Sequence, residues 1–150
     1  MKLYLIQHGL AVPDEVDPQK PLSREGIEAT QEVARFLSDR AVKVDCIWHS
    51  PKVRSVQTAE IISRSVSCPD LAERDDLNPN DPVDEFPGEF QKLNTDLMIA
   101  GHLPFLRKLV SLLLTGSDGL DLVSFKNSGV VCLEYQGAWK LAWAVTPDLL

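Results

Sequence analysis

At 150 residues, 44% hydrophobic and 25% charged, the chain has the balance of one folded unit, able to bury about two-thirds of the surface its unfolded form exposes. A net charge of −7 argues against nucleic acid and anionic membranes as partners. The three cysteines, Cys46, Cys68 and Cys132, lie far apart with no CxxC pair. That spacing argues against a disulfide framework or a cysteine metal site and suits a reducing compartment.

In chain order, Lys2 to Gln7 reads as a buried strand. Its apolar stretch, Leu3 to Ile6, is far shorter than a signal-peptide core, so a cytoplasmic protein is expected. Ser23 is placed to cap a helix that carries Ile27, Ala34 and Leu37 to about Asp39. Val44 to His49 is a second strand. Ser50-Pro51 reads as the cap and first turn of a helix with Val53, Val56, Ala59 and Ile62, ending near Ser65. Residues 68–96 hold nine acidic residues, two basic ones and four prolines, which predicts a short strand near Leu71, an acidic loop, and a helix over Asp84 to Leu93. Leu97 to Ala100 is a further buried strand. Pro104 opens a helix with Leu106, Leu109, Val110 and Leu113 on one face, ending near Gly116. Gly129 to Tyr135 and Trp139 to Val145 read as a hairpin joined at Gln136-Gly137. Alternating strands and helices predict an α/β sheet layered by helices, in a single domain over residues 1–150. No apolar run is long enough to span a bilayer.

Three strands end alike. The first runs into Gln7-His8-Gly9, the second into His49-Ser50-Pro51 with Arg54 in the next helical turn, and the fourth into Gly101-His102 before a proline-started helix. In open α/β sheets, ligands sit outside the carboxyl ends of the strands, where helix N-termini present free N–H groups. A neutral imidazole can attack phosphorus and carry the phosphoryl group covalently. Arginine binds phosphate oxygens with planar, permanently charged donors. A second histidine can donate to those oxygens in the transition state, and a carboxylic acid can protonate the leaving group. His8 and His102 are therefore expected within one anion's reach, with Arg54 on the same wall. His49 reads as structural. A zinc site built from His8, His49 and His102 lacks the close histidine spacing such sites use.

The segments "LIQHG", "PLSREG", "HSPKVRSVQTAEII" and "AGHLPFL", in this order along nearly the whole chain, resemble the histidine phosphatase superfamily, and within it the small SixA-type phosphohistidine phosphatase group. The resemblance implies a phosphoglycerate-mutase-like fold, a mostly parallel sheet of about six strands flanked by helices. It implies that His8 is the phosphorylated nucleophile, that Arg54 and His102 bind the phosphoryl group, and that Asp76 in "RDDLNP" stands nearest the family's proton donor. Gln7, Gly9, Arg54 and His102 become the phosphate-binding set, with no cofactor and no metal. The departure is Gln7, where the family triplet is Arg-His-Gly. Glutamine keeps two N–H donors and loses the charge, and a charged hydrogen bond contributes roughly 1.5–3 kcal/mol.

The expected function is a phosphatase working through phospho-His8 on a phosphohistidine-bearing protein. The region 68–96 is too short for a large lid, and an open site suits a protein side chain. Alternatives are a small phosphate ester as substrate, a phosphate- or phosphoprotein-binding module disabled by Gln7, and a metal-dependent hydrolase.

Overall fold

The computed structural model describes residues 1–150. Six strands form one sheet: β1 (Lys2–Gln7), β2 (Cys46–His49), β3 (Asp70–Glu73), β4 (Leu97–Gly101), β5 (Val130–Tyr135) and β6 (Trp139–Val145). Four helices accompany them: α1 (Arg24–Asp39), α2 (Val53–Ser63), α3 (Phe86–Leu93) and α4 (Phe105–Thr115). The strand order is β3-β2-β4-β1-β5-β6. Strands β1 to β4 pair in parallel, while β5 runs antiparallel to both β1 and β6. The sheet is thus mixed. The reason is local: β5 and β6 are joined by a turn at Gln136–Ala138, with Gly137 at φ 76°, too short for anything but antiparallel pairing.

The central strands read as unbroken apolar runs because both faces are covered. Leu3 and Leu5 of β1 join Leu97 and Ile99 of β4 in a core with Phe86 and Phe90 of α3 and Phe105, Leu106 and Leu109 of α4. The alternate residues, Tyr4, Ile6, Met98 and Ala100, face Val33, Ala34 and Leu37 of α1 and Ala59 and Ile62 of α2. Ser23 caps α1, its hydroxyl accepting from the Gly26 amide at 3.0 Å. Gly116, at φ 79°, ends α4 in the left-handed conformation that favours glycine.

Two boundaries differ from expectation. β2 starts at Cys46 because the Val44 and Asp45 amides bond to the Ser67 and Asp96 carbonyls instead of entering the ladder. Helix α2 starts at Val53, and Ser50 lies outside it; its hydroxyl accepts weakly from the Lys52 amide at 3.3 Å and has a nearer partner in another element. A short 3-10 helix, Pro147–Leu149, closes the chain.

The topology creates a crevice. β1 and β4 are parallel neighbours, but β1 is followed by a helix on one face and β4 by a helix on the other. Such a switch point leaves the carboxyl ends of both strands open to a ligand. The loop leaving β1 is pinned where it crosses α1: a Cβ on Gly26 would stand 2.1 Å from the Leu10 carbonyl oxygen. Gly26→Ala therefore requires backbone to move and is expected to cost about 1–3 kcal/mol in urea unfolding. A change under about 0.5 kcal/mol would mean that the loop yields freely.

Candidate active site

His8 follows β1 and His102 follows β4, so the β1–β4 register sets their separation. Gln7 pairs with Gly101, and the His8 amide donates to the Gly101 carbonyl at 2.9 Å. The two imidazoles lie with ring centroids 5.0 Å apart at 52°. Arg54, in the first turn of α2, reaches the same point: its Nε–H donates to His8 Nε2 at 3.3 Å. The structure thus brings together the three residues on which the sequence argument rested.

Two contacts fix the protonation pattern of His8. Its Nδ1 lies 2.7 Å from the Gly9 carbonyl oxygen, which can only accept, so Nδ1 carries the proton. Arg54 can only donate, so Nε2 must offer its lone pair. Burial lowers the His8 pKa, partly opposed by the Gly9 carbonyl, and the charges of Arg54 and Lys20 lower it further. The His8 ring is therefore neutral, with the Nε2 lone pair aimed at a guanidinium.

His102 is 1% exposed, and its pKa is pushed down to about 3, by burial first and then by His8, Arg54 and Lys52. Its Nε2 lies 2.6 Å from the Ser50 hydroxyl, and its Nδ1 is buried with no partner. Burial also lowers the Arg54 pKa. An acidic protein thus keeps a pocket whose nearby charges are cationic.

Both polar groups of Gly9 have protein partners. Its amide donates to Thr58 Oγ1 at 3.0 Å and its carbonyl is taken by His8, so it turns neither group to an anion. A Cβ there would stand 2.7 Å from Thr30 Oγ1, which is why glycine is needed. Gln7 makes no side-chain hydrogen bond to His8, Arg54 or His102, and its Oε1 is buried without a partner. Residue 7 lines a cavity of about 720 Å³ with Leu10, Glu25, Lys126 and Asn127.

Asp76 is not brought into contact with the histidines. Both its oxygens accept from Arg74, at 2.9 and 2.6 Å, and the same guanidinium binds Glu89 and stacks over Trp48 at 4.0 Å. His49 ends β2, its Nδ1 donating to the Ser50 carbonyl at 3.0 Å, with no hydrogen bond to His8, Arg54 or His102. The side chains form no set of three His, Cys, Asp or Glu residues able to hold a metal.

Sequence reasoning missed two contributors. Ser50 read as a helix cap, and only its adjacency to a strand end hinted at the site. Asn127 donates from Nδ2 to the His8 carbonyl at 3.0 Å, holding the His8 backbone. The turn-like "KNSG", with Ser128 at φ 64°, was its only signal.

A strand-end histidine pair and an arginine at a helix start thus meet on a three-layer α/β sheet. The chain belongs to the histidine phosphatase superfamily (branch 1), whose model matches residues 3–79. It is 26% identical over 155 residues to phosphohistidine phosphatase SixA of Escherichia coli K12, covering 98% of this chain and 94% of that one. The fold is similar to that of the histidine phosphatase SixA complexed with tungstate, with TM-score 0.89, 22% identity and 99% of each chain covered. It is also similar to the alpha-ribazole phosphatase of Shigella flexneri, with TM-score 0.76, 16% identity, and 98% of this chain and 97% of that one covered.

Burial of neutral His102 makes stability depend on pH. Unfolded His102 titrates near 6.5 and folded His102 near 3, so between these values the unfolded chain binds the extra proton. The neutral buried ring costs no stability above pH 6.5, and stability falls as pH drops from there toward 3. Urea midpoints should therefore fall more steeply with acid in the wild type than in His102→Asn. Equal slopes would contradict a buried neutral His102.

Proposed function

We propose that the chain acts as one domain and is a phosphatase that passes the phosphoryl group through His8, with phosphohistidine on a protein as substrate. The observation that carries this reading is the state of His8: proton on Nδ1, lone pair on Nε2, beside the Arg54 guanidinium and 5.0 Å from the His102 ring. In the first step Nε2 attacks phosphorus and the bond to the leaving group breaks. Arg54 and His102 donate to the phosphoryl oxygens, stabilising charge as the bonds exchange. Water then attacks phospho-His8, releasing phosphate and returning the electron pair to Nε2.

The choice of substrate rests on the leaving group. An alkoxide needs a proton as it departs. An imidazole whose other nitrogen is protonated departs neutral and needs none. Asp76, the carboxylate nearest the family's donor position, is held by Arg74, which favours the imidazole. The relatives fit this reading without deciding it: one is called a phosphohistidine phosphatase, and a neighbour with TM-score 0.73 and 17% identity is a phosphoserine phosphatase of Entamoeba histolytica. Gln7 supports a second reading, a module that binds phosphate or phosphoprotein without turnover, since its uncharged side chain makes no hydrogen bond to any of the three site residues.

Incubation with a phosphohistidine peptide should give an alkali-stable, acid-labile phosphoenzyme that His8→Ala abolishes. Arg54→Ala should weaken tungstate binding and leave the fold intact. Tungstate binding without any turnover would support the binding module, and labelling that survives His8→Ala would place the nucleophile elsewhere.

Gln7→Arg should raise turnover by about ten- to a hundredfold, the effect of one charged donor at the transferring group. An arginine variant no faster than wild type would mean that residue 7 lies outside the phosphate shell.

A further inference from the structure

We infer that Ser50 is a positioning residue that holds His102 in its Nδ1–H form by donating its hydroxyl proton to Nε2. Both residues are buried, Ser50 fully, and their polar atoms are 2.6 Å apart. Two arrangements fit that distance. In one, Ser50 O–H donates to Nε2 and the imidazole proton sits on Nδ1. In the other, Nε2–H donates to the Ser50 oxygen.

Counting buried groups separates them. The Ser50 oxygen already accepts from the Lys52 amide, and its hydroxyl proton has no other acceptor among its contacts. If Nε2–H were the donor, that proton would be unpaired, and the bare Nδ1 lone pair would be unpaired as well. If Ser50 is the donor, Nδ1–H alone is left over. Each unpaired buried group costs roughly 1–3 kcal/mol, so the arrangement with one orphan is preferred. The tautomer of a histidine is set by the bond its other nitrogen makes.

The two imidazoles are then fixed by opposite partners. A carbonyl acceptor, Gly9, holds the proton on Nδ1 of His8 and leaves Nε2 as a lone pair. A hydroxyl donor, Ser50, occupies Nε2 of His102 and leaves Nδ1–H as a donor. One ring can only attack and the other can only donate. The orphaned Nδ1–H is the group left to take an acceptor, a phosphoryl oxygen in the phosphatase reading. This assignment of His102's role rests on the phosphatase reading above; the tautomer itself does not.

The test is nitrogen-15 NMR of the histidine rings in the intact protein near pH 7.5. His102 should show a protonated Nδ1 and a bare Nε2. In Ser50→Ala the proton should redistribute toward Nε2 while His8 keeps its pattern. On a phosphohistidine peptide, kcat of Ser50→Ala should fall about tenfold with KM little changed. A wild-type His102 protonated on Nε2 would overturn the inference, and that measurement needs no variant to fold. A folded Ser50→Ala with an unchanged His102 tautomer would overturn it too. The expected tautomers without any turnover in the wild type would sustain the inference about Ser50 and defeat the phosphatase reading alone.

Discussion

The parallel pairing of β1 with β4 is the constraint on which the site depends. It sets Gln7 against Gly101 and ties the His8 amide to the Gly101 carbonyl, so the two residues that follow these strands emerge side by side. A slip of one residue would turn Leu3 and Leu5 out of one core and Tyr4 and Ile6 out of the other. The hydrophobic effect that specifies the register of the sheet therefore also specifies the spacing of the two imidazoles. No local preference of a histidine for a strand end could do this.

Around that register, small polar side chains hold the loop after β1. Thr58 receives the Gly9 amide and donates to the Arg54 carbonyl, linking the loop after His8 to the helix that carries Arg54. Thr30 and Ser128 meet at 2.8 Å, and Asn127 grips the His8 carbonyl. On the other flank, Arg74 joins Asp76 and Glu89 while stacking on Trp48, fastening the acidic segment to β2 and α3. Arg74 is thereby committed and does not replace the charge missing at residue 7. Lys20 and Lys52, which depress the pKa values of His8 and His102, lend the pocket part of that positive character.

What was legible in the sequence was what is set locally. The bounds of β1, the Ser23 cap of α1, the Gly116 end of α4 and the Gln136-Gly137 turn each follow from neighbouring residues, and the structure has them there. His8, Arg54 and His102 were legible because each sits at a strand end or helix start, and the sheet brings such ends together. Partners distant in sequence were not legible. Ser50 meets His102 across 52 positions and Asn127 meets His8 across 119, and no local pattern announces either. The surroundings of Asp76 and Gly9 were hidden for a related reason: adjacency in a motif does not show that a guanidinium or a threonine hydroxyl has taken their polar atoms. The antiparallel edge was implied by the hairpin, yet its docking onto β1 depends on tertiary packing.

One nitrogen, Nε2 of His8, is kept bare by a carbonyl on one side of the ring and offered toward an arginine on the other. The most direct measurement is the position of the phosphoryl group on the trapped phosphoenzyme, read by phosphorus–nitrogen coupling in nitrogen-15-labelled protein quenched in alkali. Phosphorus bonded to Nε2 of His8 is the predicted result. Phosphorus on Nδ1, on His102 or on a hydroxyl side chain would contradict it.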